Sequence, residues 1–327
     1  MVQIIALDPG YGSTKVAING KTGVVQTAVS HPKDIGLSGI GMQSAGRYAH
    51  DVVYHGTRFS VGTGSWHKGD PLTSMDYTAL VSPERMAAFF TALALATREE
   101  CKEGDGLILD EVMLVIGLPV PLLQDKVQAQ IILDALRNIK GEHIFSVDTV
   151  PFRVNIERIK YLAQPVGAYI NWFLDDELKA RPGARKAEVA ILDWGMNTLD
   201  EYVIQDAQVV EAYVGGAEIG VKRLLETIPS GGHDLVELDA KLRTGQLEIP
   251  DAQLDAWVSE FIAHTKRIMP NLKRFDVVIP VGGGTLVAGD RLRDALVGKG
   301  ANVHWTEDPI TENVRGLSKW AYENSDE

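Results

Sequence analysis

One cysteine, Cys101, stands among the 327 residues, so no internal disulfide can form, and no Cys/His cluster has zinc spacing. Thiol chemistry and structural zinc therefore drop out as organising features. Long apolar runs are also missing: the longest, Met86 to Ala96, is about half of the roughly 20 residues that a membrane span needs, and Ser82-Pro83 ahead of it is a helix-start signal. No span is predicted and no membrane partner is expected. The N-terminus enters a strand, Gln3 to Leu7, without the basic segment, apolar block and cleavage site of a signal peptide, so a cytoplasmic protein is expected. Basic residues are in deficit, 32 Lys and Arg against 44 Asp and Glu, and the net charge of −12 argues against a broad nucleic-acid-binding face. The local clusters Arg137/Lys140 and Lys266, Arg267, Lys273 and Arg274 read as solvated helix faces. Neither a phosphate loop of the Gly-x-x-x-x-Gly-Lys-Ser/Thr kind nor the Rossmann glycine spacing is present.

What is present is a repeated motif. Ala6-Leu7-Asp8-Pro9-Gly10-Tyr11-Gly12-Ser13-Thr14-Lys15 and Ile191-Leu192-Asp193-Trp194-Gly195-Met196-Asn197-Thr198-Leu199-Asp200 each run from an apolar strand to an Asp, a Gly two residues later, small polar residues and a second apolar run. Each predicts a strand, a tight turn and a returning strand. A single Asp-x-Gly turn reads as a plain hairpin; two in register within duplicated halves read as a pair of phosphate-holding turns.

The surrounding pattern is α/β. Lys15 to Ile18, a turn at Asn19-Gly20 and Val24 to Val29 extend the first meander. The Gly-rich stretch from about 31 to 76 reads as a small variable subdomain with a strand pair around Asp51 to Val61. A helix from Ser82 to about Lys102, a strand Val112 to Gly117, a helix Leu122 to Ile139, strands His143 to Val154 and a helix Pro165 to Lys179 complete the first half. The second half has strands Glu188 to Asp193, Glu201 to Ile204 and Gln208 to Tyr213, a turn at Gly215-Gly216 and a helix from Glu218 to Thr227. Helix Ile249 to Leu272, strand Val277 to Val281, the turn Gly282-Gly283-Gly284 and a helix near Leu286 to Leu296 follow. The sharpest turn-forming break is Arg181 to Lys186; the expected domains are 1–162 and 163–312, with a C-terminal helix over 313–327 that packs back on the first.

Glycine at Gly10, Gly12 and Gly195 permits close approach of backbone amides to phosphate oxygens, and Ser13, Thr14, Asn197 and Thr198 add short donors. Asp8 and Asp193, at strand ends beside a triphosphate, suit a hydrated Mg²⁺, held mostly through water. Lys15, seven positions after Asp8, offers a point positive charge to the β and γ phosphates, whereas the corresponding position of the second copy is Asp200. Gly282, Gly283 and Gly284 leave room for a flat ring or a phosphate at a helix start.

These pieces together resemble the actin superfamily of ATPases and, within it, the ParM-like bacterial and archaeal actin-like proteins. The family's first phosphate motif resembles Asp8 to Lys15, with Tyr11 among its nucleotide-binding positions; its second resembles Asp193 to Thr198, and its adenosine motif Ile279 to Thr285. Its connecting helix resembles Gln164 to Tyr169, Gly215-Gly216 with the Ile219-Gly220-Val221-Lys222 segment looks like the loop and helix that flank the nucleotide, and Asn313-Val314-Arg315-Gly316 is similar to a segment of the ParM-like branch. The match is poorest over 31–76 and 230–251.

The resemblance implies a duplicated, ribonuclease H-like actin fold with two domains around a central nucleotide cleft. It implies ATP or GTP with Mg²⁺, Gln164 orienting the attacking water, and Asp193 assisting through metal and water. It further implies head-to-tail self-assembly into filaments and a task such as plasmid segregation through a small DNA-binding adaptor, with no direct contact to nucleic acid. Trp194 departs from the small or aliphatic residue often found there, which leaves the γ-phosphate pocket open to change. Two alternatives stand beside this: a sugar-type kinase, for which Phe152 to Gln164 offers only Asn155 and Glu157 as candidates near a substrate base, and a non-hydrolysing nucleotide-binding scaffold.

Overall fold

The computed structural model describes residues 2–33, 48–72, 80–101 and 106–324. The chain divides into two units, Met1–Leu162 and Ala163–Glu327. In the first, β1 (Gln3–Pro9) runs antiparallel to β2 (Ser13–Ile18), and β2 returns as β3 (Lys21–Gln26). Asn19 and Gly20 take φ of 50° and 75°, the left-handed pair that a two-residue hairpin turn demands. β4 (Val29–Ser30) precedes the stretch expected to be variable, from which β5 (His50–Tyr54), β6 (Thr57–Val61) and β7 (Pro71–Leu72) come; residues 34–47 and 73–79 lie outside the described residues.

Ser82 caps α1 (Pro83–Ala96) by accepting from the Arg85 amide. The helix stops at Thr97, short of the expected Lys102, which lies outside the described residues. β8 (Leu107–Leu118) then lies parallel to β1. The single helix expected over 122–139 is instead α2 (Val120–Gln124) and α3 (Lys126–Arg137), because the Asp125 carboxylate caps a new start by accepting from the Val127 and Gln128 amides. β9 (Gly141–Val147) and β10 (Val150–Ala163) close the unit as an antiparallel pair. Among the described residues the strands form one sheet in the order β3-β2-β1-β8-β10-β9-β5-β6-β4-β7, with Phe89, Phe90 and Leu93 of α1 in its core.

The second unit opens with α4 (Gln164–Phe173), which ends six residues before the expected Lys179. β11 (Val189–Trp194) pairs antiparallel with β12 (Leu199–Gln205), and β12 with β13 (Gln208–Val209). Gly215 and Gly216, expected as a turn, lie in β14 (Gly215–Ala217), which pairs with β12 and sets Gly216 across from Asp200. The helices are α5 (Val221–Leu225), α6 (Leu235–Arg243) and α7 (Asp251–Ile268). β15 (Val277–Val281) lies parallel to β11 and is followed by α8 (Gly283–Ala288), α9 (Asp290–Gly298) and α10 (Glu312–Glu323).

Side chains of β11 alternate between two cores, as strand geometry requires. Ala190, Leu192 and Trp194 join α5, α7 and α9, while Val189 and Ile191 meet α4. The break Arg181–Lys186 is a turn inside this unit, with Gly183 at φ 80°. α10 packs on α4 within the second unit; of the expected helix over 313–327, residues 325–327 lie outside the described residues. No described helix is long and apolar enough to cross a membrane.

The two units repeat one plan. Each has an antiparallel hairpin, β1/β2 or β11/β12, with a parallel strand, β8 or β15, on the far side of its first strand.

Candidate functional site

The duplicated motif is duplicated in register. Asp8 stands directly across its hairpin from Lys15, and Asp193 directly across from Asp200. In the first hairpin the Lys15 Nζ donates to Asp8 Oδ2 at 3.1 Å, and the carboxylate is 1% exposed. A Cβ on Gly10 would sit 2.7 Å from the Ser13 carbonyl and 2.9 Å from the Lys15 Nζ, so a side chain there would displace the cation. Thr27 braces the turn: its hydroxyl donates to the Gly10 carbonyl at 2.8 Å, and its amide donates to the Gly12 carbonyl at 3.1 Å.

A residue that the motif does not contain completes this turn. Arg85, in the first turn of α1, reaches the Gly10 carbonyl at 3.5 Å and lies over the Tyr11 ring at 5.3 Å. Burial lowers its pKa from the usual guanidinium value, partly offset by Tyr11. Because Asp8 and Lys15 offset each other, Arg85 leaves this turn with a net positive charge suited to phosphate. Its sequence signal is faint, since 75 residues separate it from Gly10.

In the second hairpin, Gly195 donates its amide to the Thr198 carbonyl at 2.8 Å. The carbonyls of Gly195, Met196 and Asn197 accept from the Val221, Lys222 and Gly220 amides at 3.1, 2.8 and 3.0 Å, which docks the start of α5 on the turn. A Cβ on Gly195 would make only an ordinary 3.5 Å contact with the Thr198 carbonyl, so no neighbouring group of the protein demands glycine there. The demand falls on Gly282, at φ 88°, where a Cβ would sit 2.4 Å from the Trp194 carbonyl and 2.8 Å from Asp193 Oδ1. Gly284 is held small by the Trp194 ring, 2.7 Å from its Cβ position, whereas Gly283 faces open space.

Trp194 itself is wholly buried, tilted against Trp257 at 3.8 Å and Phe261 at 4.3 Å, with its Nε1 donating to the Ile219 carbonyl at 2.8 Å. Its indole belongs to the second unit's core, among α5, α7 and α9. The Lys222 side chain lies on the exposed flank of α5, 3.9 Å from Glu226.

The charge division between the copies is weaker than the sequence implies. Asp200 is 5% exposed and accepts from the Thr198 hydroxyl at 2.9 Å; burial first, and then the charge of Asp193, push its pKa up to about 7. Near neutral pH it carries about half a charge. Its neighbour Glu201, fully buried and 3.0 Å from the His264 Nδ1, is likewise raised to about 7 by burial.

Asp193 is 8% exposed, and its Oδ2 accepts from the Asn313 Nδ2 at 2.7 Å. Gln164 is the first residue of α4, the helix on which α10, and so Asn313, packs. The second unit thus gathers Asp193, Gly195, Asn197, Thr198, Gly216 and Gly282 around one strand end. The first unit gathers Asp8, Gly10, Tyr11, Ser13 and Lys15 around another.

The residues fit a phosphate-bound Mg²⁺. Such an ion keeps several waters and takes one or two carboxylates; Asp8 and Asp193 supply one carboxylate each at the same end of their strands, and a Cβ on Gly282 would crowd Asp193 Oδ1 at 2.8 Å.

Two units with one hairpin-and-parallel-strand plan, each carrying an Asp at the same strand end, define a duplicated α/β protein of the actin-like, ribonuclease H-like class. Residues 6–167 match the family model described as the actin-like proteins N-terminal domain, and the chain belongs to the actin-like proteins. No curated protein matches the chain. Among solved structures it is similar to apo ParM of pSK41, at 17% identity and TM-score 0.70 over 99% of this chain and 98% of that one. It is similar to a 15-stranded ParM filament from Clostridium botulinum, at 17% identity and TM-score 0.69 over 98% and 99%. An archaeal actin homologue in complex with ADP gives 20% identity and TM-score 0.67 over 99% and 100%.

Proposed function

We propose that the chain is a cytoplasmic actin-like ATPase that binds Mg-ATP, or GTP, through the Asp8 and Asp193 turns and assembles head to tail into filaments whose lifetime hydrolysis sets. The observation that carries this reading is the common register of the two turns, Asp8 across from Lys15 and Asp193 across from Asp200. Similarity to a ParM filament and to an ADP complex supports it.

On this reading Lys15 exchanges Asp8 for phosphate oxygens when nucleotide arrives, and Arg85 holds the Gly10–Tyr11 tip in place. Gln164 orients water at the γ-phosphorus; the new bond forms to that water's oxygen as the bond to the bridging oxygen breaks, leaving ADP and inorganic phosphate. When bound, Mg²⁺ draws charge from the phosphoryl oxygens. The acidic chain, at −12, does not itself grip DNA, and a segregation role runs through a small basic DNA-binding adaptor. The kinase alternative loses ground because the Asn155 amide is engaged by the Asp110 carbonyl at 3.0 Å, beside Glu157 at 3.5 Å, and so offers no paired carboxylate base.

Phosphate release from Mg-ATP tests the catalytic part. Gln164→Ala and Asp193→Ala should each slow it by about a hundredfold or more, with circular dichroism unchanged. Unaltered release in both variants would remove these roles and leave a non-hydrolysing scaffold.

A further inference from the structure

We propose that Asn313 is the positioning residue of Asp193: it fixes the carboxylate's orientation and, resting on the nucleotide-binding reading above, sets how Asp193 meets the nucleotide's Mg²⁺. Three observations carry this. First, the Asn313 Nδ2 donates to Asp193 Oδ2 at 2.7 Å, with both residues buried. That hydrogen bond engages one carboxylate oxygen, while the other, Oδ1, lies against Gly282, where a Cβ would sit 2.8 Å from it.

Second, the amide is aimed at a cost. Its Oδ1 is buried without a hydrogen-bond partner, an unfavourable state for such a group. Rotating the amide would set that oxygen against a carboxylate oxygen, so Asp193 alone determines which way the side chain points. A polar group left half satisfied to serve one carboxylate is the kind of local conflict that function imposes.

Third, the backbone of Asn313 is pinned. A Cβ on Gly167 would fall 2.2 Å from the Asn313 carbonyl, and a Cβ on Gly316 would fall 1.7 Å from the Gly167 carbonyl, so α4 and α10 cross in backbone contact. The preceding Glu312 is tied to α4 by the Asn171 amide at 2.7 Å. Asn313 therefore touches Asp193 with its side chain and, with its backbone, the helix that begins at Gln164. The two groups proposed to act on the attacking water are spaced through this residue.

The experiment compares Asn313→Ala, Asn313→Ser, which keeps a short donor, and Asn313→Leu, which keeps much of the volume without one. Crystal structures report the Asp193 rotamer, and calorimetry reports ADP affinity with Mg²⁺ and with EDTA. In Asn313→Ala and Asn313→Leu the Asp193 side chain should turn, and the gain in ADP affinity due to Mg²⁺ should fall about tenfold or more. Affinity in EDTA should hold, and kcat for ATP should fall with KM little changed. Asn313→Ser should recover part of each, and it carries the test if the alanine variant fails to fold. An unmoved Asp193 with the Mg²⁺ gain intact overturns the proposal, as does an equal loss with and without Mg²⁺. Absence of nucleotide binding in the parent protein would instead overturn the functional reading, and the Asp193 rotamer would still decide the role of Asn313.

Discussion

Asp200 and Glu201 are two carboxyls whose ionisation burial shifts upward, and this gives stability a pH dependence. Both have folded pKa values raised to about 7, from ordinary values of 3.8 and 4.5. Between about pH 4 and 7 the folded chain binds more protons than the unfolded one, so stability is lost as pH rises through that window. The slope contributed by each group approaches about 1.4 kcal/mol per pH unit in mid-window. Asp200→Asn and Glu201→Gln should flatten the difference between urea midpoints measured at pH 5 and pH 7.5; parallel curves for parent and variants would contradict the assignment. The residues of the two turns were legible in the sequence because an Asp at a strand end, a following Gly and short polar residues are local features. What Asp200 does was not, since its charge state depends on burial and on Asp193 across the ladder. Arg85, and the role of Asn313 within a segment singled out only by resemblance, were not legible for a plainer reason: each meets its turn only through tertiary packing, over 75 and 120 residues of chain.

Among the elements, the strands of the two Asp hairpins and β15 follow from alternating or continuous apolar runs bounded by turn residues, and they lie within about two residues of where the pattern places them, whereas β3 starts and ends three residues early and β10 runs nine residues past the expected Val154. The departures are local competitions won by capping. Asp125 divides α2 from α3, and α6 begins at Asp234, whose carboxylate accepts from the Glu237 amide at 2.8 Å. The Asp234-x-x-Glu237 spacing was a usable start signal in a stretch where the family resemblance is poorest and no helix was expected. The closest element contact, α4 on α10, rests on two glycines that no periodicity singles out. Gly316→Ala would force a methyl to 1.7 Å from the Gly167 carbonyl, and α10 must then move. We expect a loss of about 1–3 kcal/mol or more, read as a lower urea midpoint, and a larger loss of ATP hydrolysis than stability alone explains. A variant with parent stability would show that the crossing is looser than the structure has it.

On the scale of the whole molecule, duplication is the organising fact: 327 residues form two units whose hairpins share register while their charges differ. One unit presents Lys15, with Arg85 from α1 beside it, and the other Asp193 with Asp200; on the proposed reading, phosphate attraction and carboxylate chemistry fall to different halves of the chain. The central claim, a nucleotide-driven polymer, is tested most directly by right-angle light scattering of the purified chain with Mg-ATP, with the same samples examined by negative-stain electron microscopy. The account predicts a rise in scattering above a critical protein concentration, filaments in the images, and no rise without nucleotide. Monomers that persist with Mg-ATP and Mg-GTP at high concentration across salt conditions would contradict it.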